Sequence, residues 1–326
     1  MRQRRKTGAK GDVIIRDYII KRLLLGMVLV VCVSFLVFCL MYMMPGDPID
    51  MAVDRKVSQE RKAEIAHKLG YDQPFLTQYK NWVVKIFHGD FGNSVRYKSS
   101  VWSLMSERIP YSLRLCGLSM VLEILIALPL GLMCAVKKDS FLDRFTVNFS
   151  LLLTAVPSFW LGALFILIFA VQMKWLPISG YTTWQNYVIP LATMVLGGMG
   201  GTLRITKTEV LEVINEKYVT TAYAKGLPGK TVLIKHVLRN SLILVVTLVF
   251  MSIPWLITGA VITERIFAFP GMGNLLVNSI IVQDMPVVQA VLLLIAILTV
   301  LCNLASDVIM GILDPRIRQS LSGGDN

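Results

Sequence analysis

The sequence predicts an all-α integral membrane protein with six transmembrane helices and both termini in the cytoplasm. Three observations predict this fold class. Hydrophobic residues make up 55% of the 326 positions and charged residues only 17%, whereas roughly 25% of the residues in a soluble domain are charged. Six apolar segments have the length of a membrane span, and basic residues are distributed unevenly among the segments that connect them.

The predicted spans are apolar helices of the length that a bilayer requires, because a hydrocarbon core about 30 Å thick is crossed by about 20 helical residues. The first span is too long for the apolar region of a signal peptide, so we expect it to be retained. Glycines in the short fourth span are expected to let another helix approach closely. Pro157 and Pro254 predict kinks in the third and fifth spans, and either is a candidate hinge. The spans cover residues 23–44, 111–136, 145–173, 187–203, 242–262 and 287–311.

Basic residues set the predicted orientation. The first 22 residues contain eight Lys or Arg, and residues 203–241 contain seven. The two short loops on the opposite side contain one each, Lys174 and Arg265. Because basic loops stay in the cytoplasm, the N-terminal segment 1–22, the loop 203–241 and the tail 312–326 are predicted to be cytoplasmic.

Residues 45–110 form the long segment predicted outside the cytoplasm, between the first two spans. Segments of this length largely escape the charge rule. A run of apolar residues with a 3.6-residue period predicts a helix from Phe75 to Phe87, which Gly89 ends. A shorter helix is predicted from near Ser58 to Gly70. We therefore expect this segment to be folded, followed by a core of residues 111–311.

No catalytic or metal site is indicated. The cysteines and histidines show no zinc or redox spacing, and the cysteines fall in or beside apolar runs as small apolar residues do. The phosphate-binding pattern GxxxxGK[ST] is absent, so this chain is not expected to hydrolyse ATP. The motifs HExxH and GxSxG are also absent, which argues against a membrane-embedded enzyme. A channel or an ion-coupled transporter remains an alternative, although such a protein would carry more intramembrane charges or an internal repeat.

Two acidic residues lie within predicted spans. Glu123 lies in the second span, and a carboxylate at this depth should face protein or a water-filled cavity. It is therefore a candidate for lining a transport pathway, or for pairing with Arg114 or with a partner subunit. Asp307, near the cytoplasmic end of the last span, is predicted to have a role in helix packing or capping.

The loop 203–241 is too polar for lipid and too long for a simple turn. Its first part has a helical pattern, Gly226 and Pro228 break it, and a second amphipathic helix extends to about Arg239. A short helix is thus predicted to lie across the membrane face, held at both ends by spans, where it can transmit force from a cytoplasmic partner. In the alternative interpretation Gly226 is a simple helix stop, and the lysines of the loop serve topology or contact anionic lipid.

This loop resembles the Glu-Ala-Ala loop of bacterial ABC import permeases, in which Glu-Ala-Ala is followed by three residues and Gly. Ala222 and Gly226 match that pattern, while Thr220 and Thr221 replace the Glu and the first Ala. The flanking residues are similar to the variant found in the dipeptide/oligopeptide/nickel permease family, and the long outer segment is similar to that of its B-type subunits. Further matches in chain order are Pro45–Pro48, Gly89–Ser94, Pro157–Gly162, Trp175–Pro177, Glu264–Gly273, Asp284–Pro286 with Met285 in place of Tyr, and Asp314–Arg318.

The resemblance implies the fold of a type I ABC importer permease in a bacterial plasma membrane. It implies four kinds of partner: a second, homologous permease, two ATP-binding subunits that hold ATP and Mg, an extracellular solute-binding protein and membrane lipid. Residues 45–110 and 263–286 would form the outer docking surface. The cargo implied is a di- or oligopeptide, with nickel chelates and oligosaccharides as alternatives. The coupling helix would extend from Thr220 to about Val232, and its implied ATPase-coupling residues are Thr220, Thr221, Ala222, Lys225, Gly226 and Leu227.

Overall fold

The computed structural model describes residues 2–43, 58–70, 72–241, 249, 253 and 260–313. Regular structure in this part of the chain is helical, and the described residues form no β-strand. The helices are α1 (Arg2–Tyr42), α2 (Gln59–Leu69), α3 (Phe75–Phe87), α4 (Val101–Val136), α5 (Phe141–Ala155), α6 (Ser158–Phe165), α7 (Gln185–Ile214), α8 (Lys217–Ala224), α9 (Gly229–Val232), α10 (Met272–Ile281) and α11 (Met285–Leu313). Wider π-helical turns continue α6 over Ile166–Gln172 and α9 over Leu233–Leu238, and residues 260–266 are also helical.

Four described helices are long and apolar enough to cross a membrane, and the number is five if one sharply bent helix pair counts as a single span. They are Ile19–Tyr42, Val101–Val136, Gln185–Ile214 and Met285–Ile309, with the bent pair formed by α5 and α6. The predicted fifth span, residues 242–262, lies almost entirely outside the described residues, as does Pro254. The multi-pass helical architecture is confirmed, while the count of six spans and the cytoplasmic termini stay predictions.

The third span is broken rather than kinked. Its two halves, α5 and α6, meet at an angle of 101° around Pro157. Proline lacks the N–H that a continuous helix would need, and it drives the preceding residue into extended backbone; Val156 accordingly has φ −86° and ψ 126°. Pro157 was therefore correctly predicted as the site of a bend, but the sequence did not reveal its size.

The fourth span continues without a break into the loop 203–241. Helix α7 has 30 residues and ends at Ile214, eleven residues beyond the predicted end of the span, so it is about 45 Å long at 1.5 Å per residue. The first part of the loop 203–241 is therefore a rigid extension of a membrane helix.

Glycines bring α7 into close contact with α4 and α5, as the sequence predicted. A Cβ atom built on Gly198 would lie 2.8 Å from Glu123 Oε2 on α4. A Cβ atom on Gly200 would lie 2.7 Å from the Ser150 carbonyl oxygen on α5. Gly131 on α4 makes a reciprocal contact, since its Cβ would lie 2.8 Å from Thr206 Cβ. Such small residues let helix backbones approach in a membrane.

Helix α1 packs along α11. A Cβ on Gly26 would lie 2.6 Å from Val300 Cγ1, and farther along the pair Val37 and Met41 share a buried cluster with Val288 of α11. Near the predicted cytoplasmic end, Arg22 Nη1 lies 3.0 Å from Asp307 Oδ2. Asp307 thus joins the last span to the first, consistent with its predicted packing role.

The two helices predicted in the outer segment are confirmed. The Ser58 hydroxyl accepts a hydrogen bond from the Arg61 N–H at the start of α2, and Gly70 ends that helix with φ 75°. Such capping is typical of serine and glycine at these positions.

Helix α3 packs on α1 through aromatic rings. Phe38 of α1 lies 5.4 Å from Phe75, 5.4 Å from Tyr79 and 5.8 Å from Trp82, measured between ring centroids. The predicted apolar face is wider than the one that packs, because Leu76 and Phe87 are 68% and 85% exposed.

Adding one methyl group to Gly200 should destabilise the packing of α5 on α7. Gly200→Ala places its Cβ against backbone atoms of Ser150, and overpacking of this kind costs about 1–3 kcal/mol. Chemical denaturation of the purified protein in detergent micelles measures the change in the free energy of unfolding. Gly201→Ala is the matched control, because no atom lies within 4 Å of that Cβ, and it should leave stability unchanged or raise it by up to about 1 kcal/mol, since Ala is the better helix former. Equal effects of the two variants would contradict the packing.

The contact between His67 and Asp72 should respond to pH. His67 Nδ1 lies 2.6 Å from Asp72 Oδ2; this hydrogen bond and the charge attraction raise the pKa of His67, and the bond lowers the pKa of Asp72. The contribution of His67 is complete below its unfolded pKa and is lost as pH rises through its raised pKa. The contribution of Asp72 is present above its unfolded pKa and is lost as pH falls through its lowered pKa. The contact should therefore be strongest between about pH 4 and pH 6.5.

An NMR titration of the His67 ring tests this contact. Asp72→Asn should lower the titration midpoint of His67 towards 6.5. Asp90→Asn, which changes another exposed aspartate of the outer segment, should leave that midpoint unchanged. A His67 midpoint that ignores Asp72→Asn would exclude the pair in solution.

Candidate functional site

The loop 203–241, predicted to be cytoplasmic, contains a short helix whose one face packs against the core of this chain. Helix α8 begins after Glu216, whose carbonyl oxygen accepts the Val219 and Thr220 N–H groups. Val219 and Ala222 are 1% and 5% exposed, because the 3.6-residue helical period places both on one side. They pack in a cluster of buried residues that also contains Ala135, Val210, Val232 and Val237.

Gly226 ends α8 in a tight left-handed turn. Its φ is 75°, a conformation that glycine adopts without steric cost. The Leu227 N–H donates to the Ala222 carbonyl oxygen at 3.4 Å, and the Gly226 N–H donates to the Tyr223 carbonyl oxygen at 2.9 Å. This pair of bonds is the Schellman motif. Pro228 is the N-cap residue of α9, so the turn between α8 and α9 has a fixed position in the sequence.

Residues 223–230 form the turn between α8 and α9, which we call the knob. All eight of these residues are exposed. Tyr223 and Leu227 present apolar surface and are 51% and 37% exposed, while Lys225 and Lys230 add positive charge beside them. An exposed aromatic and aliphatic pair rimmed by polar groups is typical of a protein-binding surface.

Most residues predicted to couple to an ATPase lie on or beside this knob. Thr220, Thr221, Lys225, Gly226 and Leu227 are exposed. Ala222 is instead buried in the chain's own core, so it anchors α8 rather than offering contact surface. Tyr223 was not among the predicted site residues. The sequence does not indicate whether the amphipathic Tyr223 ring is buried or exposed, since tyrosine occurs on both kinds of face.

Polar contacts fasten the base of the loop. Asn240 Nδ2 donates to the Tyr218 hydroxyl at 2.9 Å, which joins the start of α8 to the end of the loop. Lys207 Nζ on α7 lies 2.6 Å from Asp143 Oδ1 on α5. The first contact holds α8 at the base of the loop, and the second joins α7 to α5.

Glu123 lies in the interface between α4 and α7. It is 6% exposed, and the Thr202 hydroxyl of α7 donates to its Oε1 atom at 2.6 Å. The acid residue thus connects the second span to the fourth within this chain, one turn beyond the close contact at Gly198. Among the described residues Glu123 bonds to Thr202 and not to Arg114, which is exposed. A role of Glu123 in lining a transport pathway stays a prediction.

Two buried carboxylates, those of Glu264 and Asp284, lie at the predicted outer end of the molecule. Glu264 is completely buried. Its carboxylate accepts hydrogen bonds from the Ser112 hydroxyl at 2.5 Å, the Gly273 N–H at 2.7 Å and the Asn274 N–H at 3.2 Å. Burial raises the pKa of Glu264, and these bonds oppose that rise. The carboxylate caps the N-terminus of α10 and ties it to α4, an arrangement favoured by the helix dipole.

Asp284 holds the other end of α10 to the outer segment and is 1% exposed. It accepts the Ser94 hydroxyl at 2.5 Å, the Val95 N–H at 3.2 Å and the Arg96 N–H at 3.3 Å. These partners are about 190 residues away in sequence. Two motifs that the sequence showed only as separate matches, Gly89–Ser94 and Asp284–Pro286, are therefore one contact.

The sequence matches two families of transport-system membrane components. Residues 127–319 match the family described as the binding-protein-dependent transport system inner membrane component. Residues 15–116 match the N-terminal family of the same kind of membrane component. The chain belongs to this family.

Curated relatives of this permease family align over almost the entire chain. It is 35% identical over 311 residues to the oligopeptide transport system permease protein AppB of Bacillus subtilis (strain 168), covering 92% of this chain and 98% of the relative. It is 33% identical over 334 residues to the dipeptide transport system permease protein DppB of Escherichia coli (strain K12), covering 93% of this chain and 98% of the relative.

The fold is also similar to that of a solved ABC transporter. The chain matches one from inward-facing conformations of the MetNI methionine ABC transporter, with a TM-score of 0.53 and 18% identity, over 68% of this chain and 97% of the other. A second crystal form of that transporter gives a TM-score of 0.54 and 19% identity. The likeness concerns the fold alone, at this identity.

Removing the Asp284 carboxylate should release the outer loop. Asp284→Ala leaves Ser94, Val95 and Arg96 without their acceptor, and a hydrogen bond to a charged group contributes about 1.5–3 kcal/mol. Hydrogen exchange of the peptide that contains residues 94–96 should accelerate by roughly tenfold to a hundredfold. Asp90→Ala is the control, because that exposed carboxylate accepts the Gly92 N–H at 2.8 Å and does not reach residues 95 and 96. Unchanged exchange in Asp284→Ala would contradict the anchoring role.

Proposed function

We propose that this chain is a permease subunit of an ATP-driven peptide importer in a bacterial plasma membrane. The observation that carries the proposal is the knob after α8: an exposed apolar and basic turn, fixed from behind by a buried cluster that α8 shares with the long membrane helix α7. Relatives named as oligopeptide and dipeptide permeases support peptides as cargo. Nickel chelates and oligosaccharides are the alternatives within the same function.

In this proposal the protein works in a complex. A second, homologous permease completes the pathway across six spans per subunit, with both termini in the cytoplasm. Two partner subunits bind ATP and Mg, and a solute-binding protein delivers the cargo from outside. This chain contributes no catalytic residue; it contributes half of the pathway and one docking knob.

The geometry suggests how force reaches the membrane. The knob fits a groove on an ATP-binding subunit, with Tyr223 and Leu227 as apolar anchors. When the ATPase pair closes, α8 moves together with α7, because both share the cluster around Val210 and Val219. Helix α7 is fastened to α4 at Glu123 and to α5 at Gly200, so three membrane helices shift as one body and alternate the access of the pathway.

Affinity purification tests the proposal. The tagged chain is extracted from its native membranes in mild detergent, and copurifying proteins are identified and assayed for ATPase activity. A second permease together with ATP-binding subunits is the expected result. A chain that purifies alone or as a homo-oligomer without ATPase activity would overturn the proposal.

The turn at Gly226 should be necessary for coupling. Gly226→Ala forces a side chain into left-handed backbone, which costs about 1–2 kcal/mol, although its Cβ meets no atom within 4 Å. The strain should displace the knob and weaken binding of the ATP-binding subunit by roughly five- to thirtyfold. Binding between the detergent-solubilised permease pair and the ATPase subunit measures the effect.

Gly89→Ala is the matched control for this variant. Gly89 has φ 76° and an equally open Cβ position, but it lies in the outer segment. The Gly89→Ala variant therefore carries the same backbone strain, and its affinity for the ATP-binding subunit should equal that of the natural protein. Similar losses in both variants would mean that general destabilisation, and not the shape of the knob, causes the effect.

A further inference from the structure

Helix α3 has an uncovered apolar face beside the face that packs on α1. Leu76, Val83 and Phe87 follow one another at intervals of seven and four residues, so the 3.6-residue period places them in one stripe. Leu76 and Phe87 are exposed, and Val83 is half-buried between them. An exposed apolar patch of this kind marks a contact with another protein or with a membrane.

The contacts of α3 with α1 fix its depth relative to the membrane. The apolar run of α1 begins after the cations Lys21 and Arg22, and a hydrocarbon core about 30 Å thick takes about 20 helical residues. The core therefore ends near Tyr42. The Tyr79 hydroxyl lies 2.8 Å from the Ser34 hydroxyl, and Ser34 lies about 12 Å deeper along α1 than Tyr42 does.

The start of α3 lies at the level of acyl chains rather than above the membrane. The Phe75 ring contacts the rings of Phe35 and Tyr42, with centroid distances of 5.8 and 5.0 Å, so it lies between these two levels of α1. Leu36 and Leu40 of α1 are exposed at the same level, as is expected of a surface that faces lipid tails. Lipid therefore surrounds this layer of the molecule wherever no helix covers it.

The polar residues of α3 fit the boundary between lipid and water. The helix contains the exposed cations Lys80 and Lys85 and no acidic residue, a charge that complements lipid phosphates. A lysine side chain keeps its stem along apolar surface while its ammonium group reaches the head groups. Tyr79 and Trp82 are residues of the type enriched at membrane–water interfaces. Lysines on one side and large apolar residues on the other are typical of a helix that lies in this interface.

We propose that α3 is an interfacial membrane helix. The stripe of Leu76, Val83 and Phe87 inserts into the acyl chains at the predicted outer end of α1, and Lys80 and Lys85 lie at the level of the head groups. The inference requires only a membrane around α1, so it depends on neither the cargo nor the partners of the proposed function. It divides the outer segment in two, because α2 exposes mainly polar residues and stays in water. The exposed polar residues of α2 are Glu60, Arg61, Glu64 and His67.

Photolabelling from lipid tests this position in the natural chain. The purified protein is placed in nanodiscs of phosphatidylcholine and phosphatidylglycerol that contain a phospholipid with a diazirine, either near the head group or at the end of the acyl chain. Mass spectrometry then identifies the labelled peptides. The shallow probe should label α3 around Leu76 and Phe87, and the deep probe should label the centre of α1 around the exposed Val31.

Helix α2 is the control within the same outer segment and should remain at background with both probes. Labelling of α3 by the shallow probe should exceed that of α2 by roughly tenfold, because burying one large apolar side chain shifts a partition equilibrium by about that factor. Labelling of α3 no stronger than that of α2 would overturn the proposal, since the stripe would then face water or another protein.

A pair of variants tests whether the stripe itself causes the insertion. Leu76→Gln with Phe87→Gln should reduce the labelling of α3 by the shallow probe and leave the labelling of α1 by the deep probe unchanged. The matched control is Thr77→Gln with Asn81→Gln, which alters two exposed residues on another side of α3 and should preserve the labelling. Equal losses in the two variants would overturn the proposal, because the labelling would then not depend on the stripe.

Discussion

The close packing of α7 against α4 and α5 is the constraint on which the rest of the structure depends. In a membrane, helices gain little from hydrophobic burial against each other, since lipid is equally apolar, and close packing with a few polar contacts must hold them. Gly198 and Gly200 allow this approach on two sides of one helix. Because α7 packs with α8 in the cluster around Val210 and Val219, the packing that forms the membrane core also connects that core to the knob, its proposed contact with a source of energy.

Buried carboxylates tie distant parts of the chain together. Glu123 joins α4 to α7, Glu264 joins α4 to α10, and Asp284 joins the outer segment to the start of α11. A buried carboxylate without partners would be very costly, whereas one that accepts several hydrogen bonds is stable and fixes its donors. Glu264 and Asp284 hold the two ends of α10, so this short apolar helix is positioned between the outer segment and the last spans.

Local sequence determined the helices of the segment 45–110 and the site of the turn at Gly226. Ser58, Gly70 and Gly226 act through their own backbone and neighbouring N–H groups, so their effects can be predicted from short patterns. The size of the bend at Pro157 could not be predicted in this way, because proline forbids a continuous helix but leaves the direction of the next segment to its packing partners.

The sequence by itself determined that this protein is helical, lies in a membrane and has a turn at Gly226, because apolar span length and glycine backbone freedom are local properties. Only the tertiary structure decided that Ala222 faces inwards while Tyr223 faces outwards, and that Asp284 meets Ser94. These outcomes depend on which surfaces meet after folding, and a contact between residues about 190 positions apart leaves no periodic signal in a single chain.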